Sequence, residues 1–538
     1  MKALTAAEMR EVDRLTSDRY GISQLQLMEN AGSKAADAVW RALRGREGLK
    51  VTVLCGKGNN GGDGFVVARL LRQGDYEVPV RVVLFGRPEE VRGEAAVNLA
   101  RWRDAGNPLD VVQSASDWSR LWPELAVSPV IVDAVLGTGL RGAPSGEIAQ
   151  AIADLNQLSR NGTAATPALI LAVDTPSGLA SDGDSSDGPV LVAHRTVSFS
   201  APKIGQLISR QAEACGALEV VSIGSPASLI EEAGKGDIRW IDPGEFASLP
   251  LRRSQNSHKG RFGHVLLVAG STGKSGAAVL AGFAALRSGA GLVTIATPEP
   301  VQPTLAAAHP EYMTEALETT ADGAVASNNL RSGNFARMAE GKTVLAIGPC
   351  LGGAPETREF VGELVRRSPL PLLLDADGLN AFAGRAHLLR DRDSPFLAIT
   401  PHPGEMARLL GGTSSSVEAD RLLAAREAAR NWNAHVVLKG FHTLVAAPDG
   451  RLFVNTSGNP GLAKGGSGDV LTGVLSALLA QFTGDRFRAL ALGVYLHGIA
   501  ADLLANEDRD ASGILASEVA EWVPVAREWL LRELRFGA

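Results

Sequence analysis

Residues 51–73 read VTVLCGKGNNGGDGFVVARLLRQ. An apolar, β-branched run (Val51–Cys55) meets a glycine-rich loop, and helical spacing follows over Gly64–Gln73. The run lacks polar alternation, as expected of a strand covered on both faces. The loop contains G-x-G-x-x-G (Gly56, Gly58, Gly61), whose glycines let backbone N–H groups approach a phosphate at the positive end of a helix. Alone that pattern is weak, because a tight strand–helix turn uses the same glycines. Asn59, Asn60 and Asp63 add side-chain oxygens that a phosphate does not need. An acid in such a loop calls for a cation or a hydroxyl beside it.

The same grammar repeats outward from this stretch. Val80–Phe85, Val130–Ala134, Leu169–Asp174 and Arg195–Ser200 read as further strands, with helical segments such as Ile148–Leu155 between them. Strands alternating with helices predict a parallel sheet with crossover connections. Three of these strand ends carry chemistry. Asp133 closes IVDA before LGTGLRG (Leu136–Gly142), Asp174 closes ILAVD before TPSG (Thr175–Gly178), and Lys203 lies in SAPKIG. Each aspartate alone is as readily a helix cap or a turn former. In an open parallel sheet, however, ligands bind beyond the carboxyl ends of the strands, where all four loops converge.

Around Ser222–Asp237 the pattern weakens into small and charged residues, which predicts a linker. A second cycle starts at Gly263–Ala269 and continues through Leu292–Ala296, Val344–Ile347, Leu372–Asp375, Leu397–Thr400, His435–Lys439 and Leu444–Ala446. Helices are expected at Gly276–Ser288, Val417–Trp432 and Asp469–Gln481, with two more near the C-terminus. The expected organisation is α/β throughout: two doubly wound domains, 1–222 and 238–538, joined by 223–237.

Composition fits that reading. The 538 residues carry 53 Lys+Arg and 59 Asp+Glu, a net charge of −6. At about 150 residues per domain, two to four domains are expected. A pI near 5.9 argues against a nucleic-acid or membrane-surface protein. Cys55, Cys215 and Cys350 are far apart and have no CxxC partner, which excludes a disulfide framework or zinc ribbon and points to a reducing compartment. The N-terminal MKALTAAEMREVDRLT carries acids where a signal peptide needs an apolar core. The long apolar stretch Gly276–Thr297 is interrupted by Arg287 and glycines, so it reads as a buried helix running into a strand. A cytoplasmic protein with small-molecule substrates is expected.

In the second half, Gly458–Gly473 reads GNPGLAKGGSGDVLTG. A Gly-Gly-Ser-Gly turn before a helix offers free N–H groups to an anion. Asp469 follows in the first helical turn, either compensating the helix dipole or acting as a general base on a hydroxyl whose incoming phosphoryl group occupies the anion hole. The surrounding glycines favour the base. GSTGKS (Gly270–Ser275) is not a P-loop, because Val268 stands where that pattern needs glycine, and Lys274 reads as a solvated lysine. KGFHT (Lys439–Thr443) is placed to clamp phosphates. TPHPGE (Thr400–Glu405) sets His402 between prolines and offers Glu405 either to magnesium through water or as a helix cap.

Several of these motifs together resemble known families. LMENAG (Leu27–Gly32), GKGNNGGDG, VDAVLGTGLRG and DTPSG, over about the first 220 residues, look like the NAD(P)H-hydrate epimerase domain, a Rossmann-like three-layer sandwich. The resemblance implies K+ bound by Asn60 and Asp133 with Ser177. It also implies hydrate contacts from Asn59, Asn60, Gly61, Gly62 and Asp63, from Gly137, Thr138, Gly139, Leu140, Arg141 and Gly142, and from Asp174. Oxygen ligands of this kind suit a hard cation. Asp174 and Lys203 are the acid/base candidates, since epimerising a hemiaminal carbon moves protons to and from the ring.

HKGRFGHVLLVAGS (His258–Ser271), SGAGLVT (Ser288–Thr294), DADGLN (Asp375–Asn380), TPHPGE and NPGLAKGGSGD resemble the ribokinase-like superfamily across roughly 240–530. Within it they resemble the ADP/ATP-dependent NAD(P)H-hydrate dehydratases. That implies hydrate contacts from Ala290, Gly352, His402 and Asp469, and nucleotide contacts from Lys439, Gly440, Phe441, His442, Thr443 and Gly468. ADP as co-substrate and Mg2+ beside the transferring phosphate are expected, in a homo-oligomer without membrane or nucleic-acid partners. IGPC (Ile347–Cys350) departs from the family's GPGLG turn by placing Cys350 at a glycine position, which bears on the Gly352 contact. Cys350 has no base signature near it and reads as a turn cysteine. The competing reading is a ribokinase-like small-molecule kinase fused to a non-catalytic nucleotide-binding module.

Overall fold

The computed structural model describes residues 1–44, 50–73, 76–140, 142–160, 168–183, 188–331, 333–505 and 510–536. The chain divides into two compact units, Met1–Ile238 and Arg239–Ala538.

The first unit is built on seven strands: β1 (Val51–Cys55), β2 (Val80–Phe85), β3 (Leu109–Val112), β4 (Val130–Ala134), β5 (Leu169–Val173), β6 (Arg195–Phe199) and β7 (Ala217–Val221). Their order is β3-β2-β1-β4-β5-β6-β7, all parallel, with Val53 opposite both Val82 and Val132. Alternate β1 side chains enter different cores. Val51, Val53 and Cys55 pack with Phe65 and Val67, whereas Leu54 packs with Trp118 and Ile152. Both faces are therefore dry, which explains the missing polar alternation.

The helix after β1 runs Asn59–Gln73, starting before the expected Gly64. Its first turn folds straight back on the loop: a Cβ on Gly61 would stand 1.9 Å from the Gly56 carbonyl oxygen. The stretch expected to be a linker, 223–237, contains a helix, Ala227–Ala233. Its Leu229, Ile230 and Ala233 pack on Met9, Val12 and Leu15 of the Ala6–Tyr20 helix. Burying the Leu and Ile side chains contributes about 1.5–3 kcal/mol each, enough to hold so short a segment on the unit.

The second sheet contains β8 (Ile238–Trp240), β9 (His264–Val268), β10 (Leu292–Pro298), β11 (Met313–Leu317), β12 (Val344–Ile347), β13 (Leu372–Leu374), β14 (Leu397–Ile399), β15 (His435–Leu438), β16 (Thr443–Ala446) and β17 (Leu452–Asn455). The order is β11-β10-β9-β12-β13-β14-β15-β16-β17-β8. It is parallel from β11 to β15, and β15-β16-β17 is antiparallel. Helices Ser275–Arg287 and Ser467–Gln481 cross closely over it, since a Cβ on Gly473 would lie 2.2 Å from the Ala281 carbonyl oxygen. Helix Arg486–Ala505 is long and apolar enough to cross a membrane by length and composition, and it packs in this unit's core through Leu490, Leu492 and Leu496. The expected Val417–Trp432 helix is two, Ser414–Ala419 and Arg421–Trp432. Asp420 breaks it by accepting from the Leu423 N–H, an N-cap in mid-pattern.

Candidate active sites

In the first sheet the strand order reverses between β1 and β4, and the loops after these strands open the crevice expected at such a point. Asp133, in β4, is fully buried. Its carboxylate accepts from Ser177 Oγ at 2.6 Å, from the Ser177 N–H at 2.7 Å and from the Val135 N–H at 3.2 Å. Burial nevertheless pushes its pKa up to about 6 against the lowering effect of those bonds. Asn60 donates to the Leu136 carbonyl at 3.1 Å, and the Leu136 N–H donates to Ser177 Oγ at 2.9 Å. The Asn60 Oδ1 atom is buried without a hydrogen-bond partner. An orphaned amide oxygen beside a buried carboxylate and a hydroxyl fits a hard monovalent cation.

Beside this cluster lies a cavity of about 570 Å3. Asn59, Asn60, Asp63, Gly137, Thr138, Gly139, Leu140, Asp174 and Lys203 line it, as the sequence reading expects. Gly61, Gly62 and Gly142 do not, and Arg141 lies outside the described residues. The lining also includes Met9, Arg10 and Asp13 from the first helix, and Leu27, Met28 and Ala31 from Gln24–Leu43, the helix that bears LMENAG.

Asp174 sits just past β5 with φ +60°, a conformation that costs a non-glycine residue about 1–3 kcal/mol. It is over-determined. Its N–H donates to Val197 O at 2.8 Å, its carbonyl accepts from Gln206 Nε2 at 2.6 Å, and its carboxylate accepts from the Phe199 N–H and from Lys203 Nζ. Lys203 is 1% exposed and also donates to Ser198 Oγ at 3.0 Å and Phe199 O at 3.2 Å. All three ammonium protons are therefore committed. Lys203 orients and neutralises Asp174. Asp63 is driven well above the ordinary carboxyl range by burial, then by Asp174 and Asp13.

The second site is assembled at the carboxyl ends of adjacent strands. Asp375, immediately past β13, is the hub. It accepts from Thr400 Oγ1 (after β14) at 2.7 Å, from Lys439 Nζ (after β15) at 2.9 Å and from Thr472 Oγ1 at 2.9 Å. Lys439 also approaches Glu405 at 3.6 Å. Burial alone would lower the lysine's pKa, but the two carboxylates outweigh it and raise it. The Gly468 Cβ position lies 3.6 Å from Lys439 Nζ, so the ammonium faces the start of the Ser467–Gln481 helix. In that first turn stands Asp469, raised to about 6 by burial and then by Asp375.

His402 caps the Pro403–Leu410 helix, its Nδ1 accepting from the Gly404 N–H at 3.0 Å, while Glu405 returns a bond to the His402 N–H at 2.8 Å. Gly440, His442 and Thr443 continue the hairpin loop from Lys439, and Phe441 at its tip is 56% exposed. Cys350 takes the glycine-like conformation, φ +53°, so the turn survives the substitution. Gly352 remains tied to it, donating to Asp377 Oδ2 at 2.9 Å. Lys274 is exposed, as expected.

Ala290 does not join this group. It precedes β10, at the amino end of the sheet, where Gln481 at the far end of the Ser467–Gln481 helix bonds Ser288 O. That is about 18 Å along the helix from Asp469, at about 1.5 Å per residue. The SGAGLVT motif serves helix-to-strand packing here: a Cβ on Gly291 would stand 1.8 Å from Lys259 O. Asp375 is the residue that sequence reasoning passed over, although it closes LLLD just as Asp133 and Asp174 close their strands. Asp13 was passed over too, with no such signal.

Comparison with known proteins divides at the same place. Residues 24–205 match the family model for the YjeF-related protein N-terminus, and 265–524 match that for NAD(P)H-hydrate dehydratase. The bifunctional NAD(P)H-hydrate repair enzyme Nnr of Moorella thermoacetica is 41% identical over 536 residues, covering 99% of this chain and 97% of that protein. The Nnr enzyme of Escherichia coli is 36% identical over 514 residues, covering 96% and 92%. Among solved structures, the ADP/ATP-dependent NAD(P)H-hydrate dehydratase of Bacillus subtilis, co-crystallised with ATP and Mg2+, is 33% identical. It covers 54% of this chain and 97% of that one, with a TM-score of 0.46.

Proposed function

The chain belongs to the family of bifunctional NAD(P)H-hydrate repair enzymes, and we propose that its two sheet-edge sites divide that repair between them. The enzyme epimerises the R and S forms of hydrated NADH or NADPH and dehydrates the S form to the reduced dinucleotide. The damaged ring carries a hydroxyl on the carbon next to the ring nitrogen, a hemiaminal. The first unit interconverts its epimers, with Asp174 exchanging protons at the hydroxyl and Lys203 holding Asp174. K+ at Asn60, Asp133 and Ser177 would neutralise the buried Asp133 charge and fix the loops beside the cavity.

In the second unit Asp469 removes the proton of the S hydroxyl as its oxygen attacks the terminal phosphoryl group of ADP. The phosphoryl oxygens lie against the Gly468 and Asp469 N–H groups, with Lys439 countering their charge, and the base rests on the exposed Phe441. Hydroxide is a poor leaving group and phosphate a good one. The ring nitrogen's lone pair expels phosphate, and loss of a proton from the neighbouring carbon restores the dihydronicotinamide. Mg2+ would accompany the nucleotide phosphates, with Glu405 the carboxylate to hold it through water.

The observation that carries this reading is that the motif residues of each half, Ala290 apart, meet at the carboxyl edge of that half's own sheet. The test is recovery of the reduced-nicotinamide absorbance from mixed-epimer hydrated NADH with ADP, Mg2+ and K+. Recovery should be complete, and Asp469→Asn should abolish it. With the S epimer alone, the turnover rate should rise as pH is raised through about 6, where Asp469 loses its proton, and be flat above. Recovery stalling at the S fraction would reduce the first unit to a binding module. No recovery with ADP or ATP would leave a small-molecule kinase.

A further inference from the structure

Epimerising a hemiaminal carbon moves a proton twice: onto the departing hydroxyl oxygen, and off the water that returns on the other ring face. Two proton-transferring groups are needed, and the Lys203 protons are bonded within the protein, to Asp174, Ser198 and Phe199. Asp13 reaches the cavity from the first helix, whereas Asp174 reaches it from the end of β5. It lies mid-helix, well past the N-cap Thr5 and the Glu8 that completes the capping box, so helix capping does not account for it. Its backbone is fixed, with its carbonyl accepting from Ser17 Oγ at 3.2 Å and Gln24 Nε2 at 3.1 Å. Its side-chain Oδ1 is buried and has no hydrogen-bond partner. An ionisable group at a cavity lining with one buried oxygen left unbonded is poised for a ligand.

We propose that Asp13 is the second proton-transferring group of the epimerase cavity, serving the ring face opposite the one served by Asp174. This rests on the epimerase reading of the first unit. One carboxyl gives its proton to the hydroxyl oxygen, and the carbon–oxygen bond breaks with its electron pair leaving on oxygen as water. The ring nitrogen's lone pair forms a carbon–nitrogen double bond. Water then adds from the other face, its oxygen lone pair making the new carbon–oxygen bond while the double-bond pair returns to nitrogen. The second carboxylate takes the surplus proton. No electrons are gained or lost, and the reverse reaction returns the proton.

The charges facing this cavity suit the exchange. Arg10, Lys57, Asp63, Asp174 and Lys203 line the cavity together with Asp13. Burial first, and then the Asp174 charge, push Asp13 up to about 6 against the pull of Lys203, so both of its protonation states are accessible near neutrality.

The test is R-to-S conversion of hydrated NADH by the full-length enzyme without nucleotide, followed by chromatographic separation of the epimers. Asp13→Asn should lower the epimerisation kcat by about 100-fold or more and leave KM within about threefold. Dehydration of pure S epimer should be unchanged, which confines the loss to the first unit, and an unchanged urea unfolding midpoint of that unit verifies its folding. Asp13→Glu, which keeps the carboxyl, should retain about a tenth of the wild-type rate. Epimerisation in either direction uses Asp13 in one protonation state only, so the wild-type rate should change as pH crosses about 6, and that limb should vanish in Asp13→Asn. Epimerisation within about threefold of wild type in Asp13→Asn would overturn the proposal. So would equal losses in the Asn and Glu variants, which would mark a packing role. Asp174→Asn separates the two failures: if it too epimerises normally the epimerase reading falls, whereas if it is inactive while Asp13→Asn is active only this inference does.

Discussion

Lys203 and Asp174 form a pair in which each residue is intelligible only through the other. An ammonium 1% exposed carries a desolvation cost that only a close carboxylate and further hydrogen bonds offset, and removing one partner of such a pair costs about 3–5 kcal/mol. Lys203→Met is therefore expected to destabilise the first unit by about 3 kcal/mol in urea unfolding and to abolish epimerisation, while S-epimer dehydration continues. A loss well below that would mean that Asp174 finds other partners in the folded unit. How much of this was legible in the sequence varies by residue. Asp133 and Asp174 stood out because each closes an apolar strand at the edge where ligands bind. Asp13 could not be singled out, because one aspartate in an amphipathic helix looks the same whether it faces solvent or a cavity.

Elements were readable where burial was complete. Central strands such as β1, β4, β9 and β12 are uninterrupted apolar runs because helices cover both faces, so their bounds follow from composition. The flanking strands β3, β7 and β11 are half-buried or exposed, and their mixed residues resemble loops; β17 is buried but short, lying between antiparallel β16 and the edge strand β8. Helix contacts were the harder part. Nothing local marks Gly473 as the crossing point of two helices, yet Ala281 O would lie 2.2 Å from any Cβ there. Gly473→Ala must push the Ser467–Gln481 helix off its neighbour, at a cost of about 1–3 kcal/mol. That helix carries Asp469 in its first turn and Thr472, which holds Asp375, so the displacement reaches the chemistry. The variant should show a lowered second-unit unfolding midpoint and a lower dehydration kcat, with epimerisation intact. A stability loss without a kcat effect would show that the helix end moves independently of its middle.

Across the whole molecule, each site draws its residues from one unit. The cavity beside Asp174 is lined from within Met1–Ile238, while Asp375, Lys439 and Asp469 all lie within Arg239–Ala538. On the proposed reading the compound that links them is the S hydrate, formed at one site and consumed at the other. Two chains with opposite defects should therefore complement each other in solution. Asp174→Asn alone should recover the reduced-nicotinamide absorbance only up to the S fraction and then creep at the spontaneous epimerisation rate. Asp469→Asn alone should recover none. Mixed at equal concentration with ADP, the two should clear both epimers, and the rate of the slow phase should rise in proportion to the Asp469→Asn protein, which supplies the epimerase. If the mixture stalls where Asp174→Asn stalls, the S hydrate does not pass freely between chains. The fusion would then act by handing substrate over within one chain, rather than by keeping two independent activities in fixed proportion.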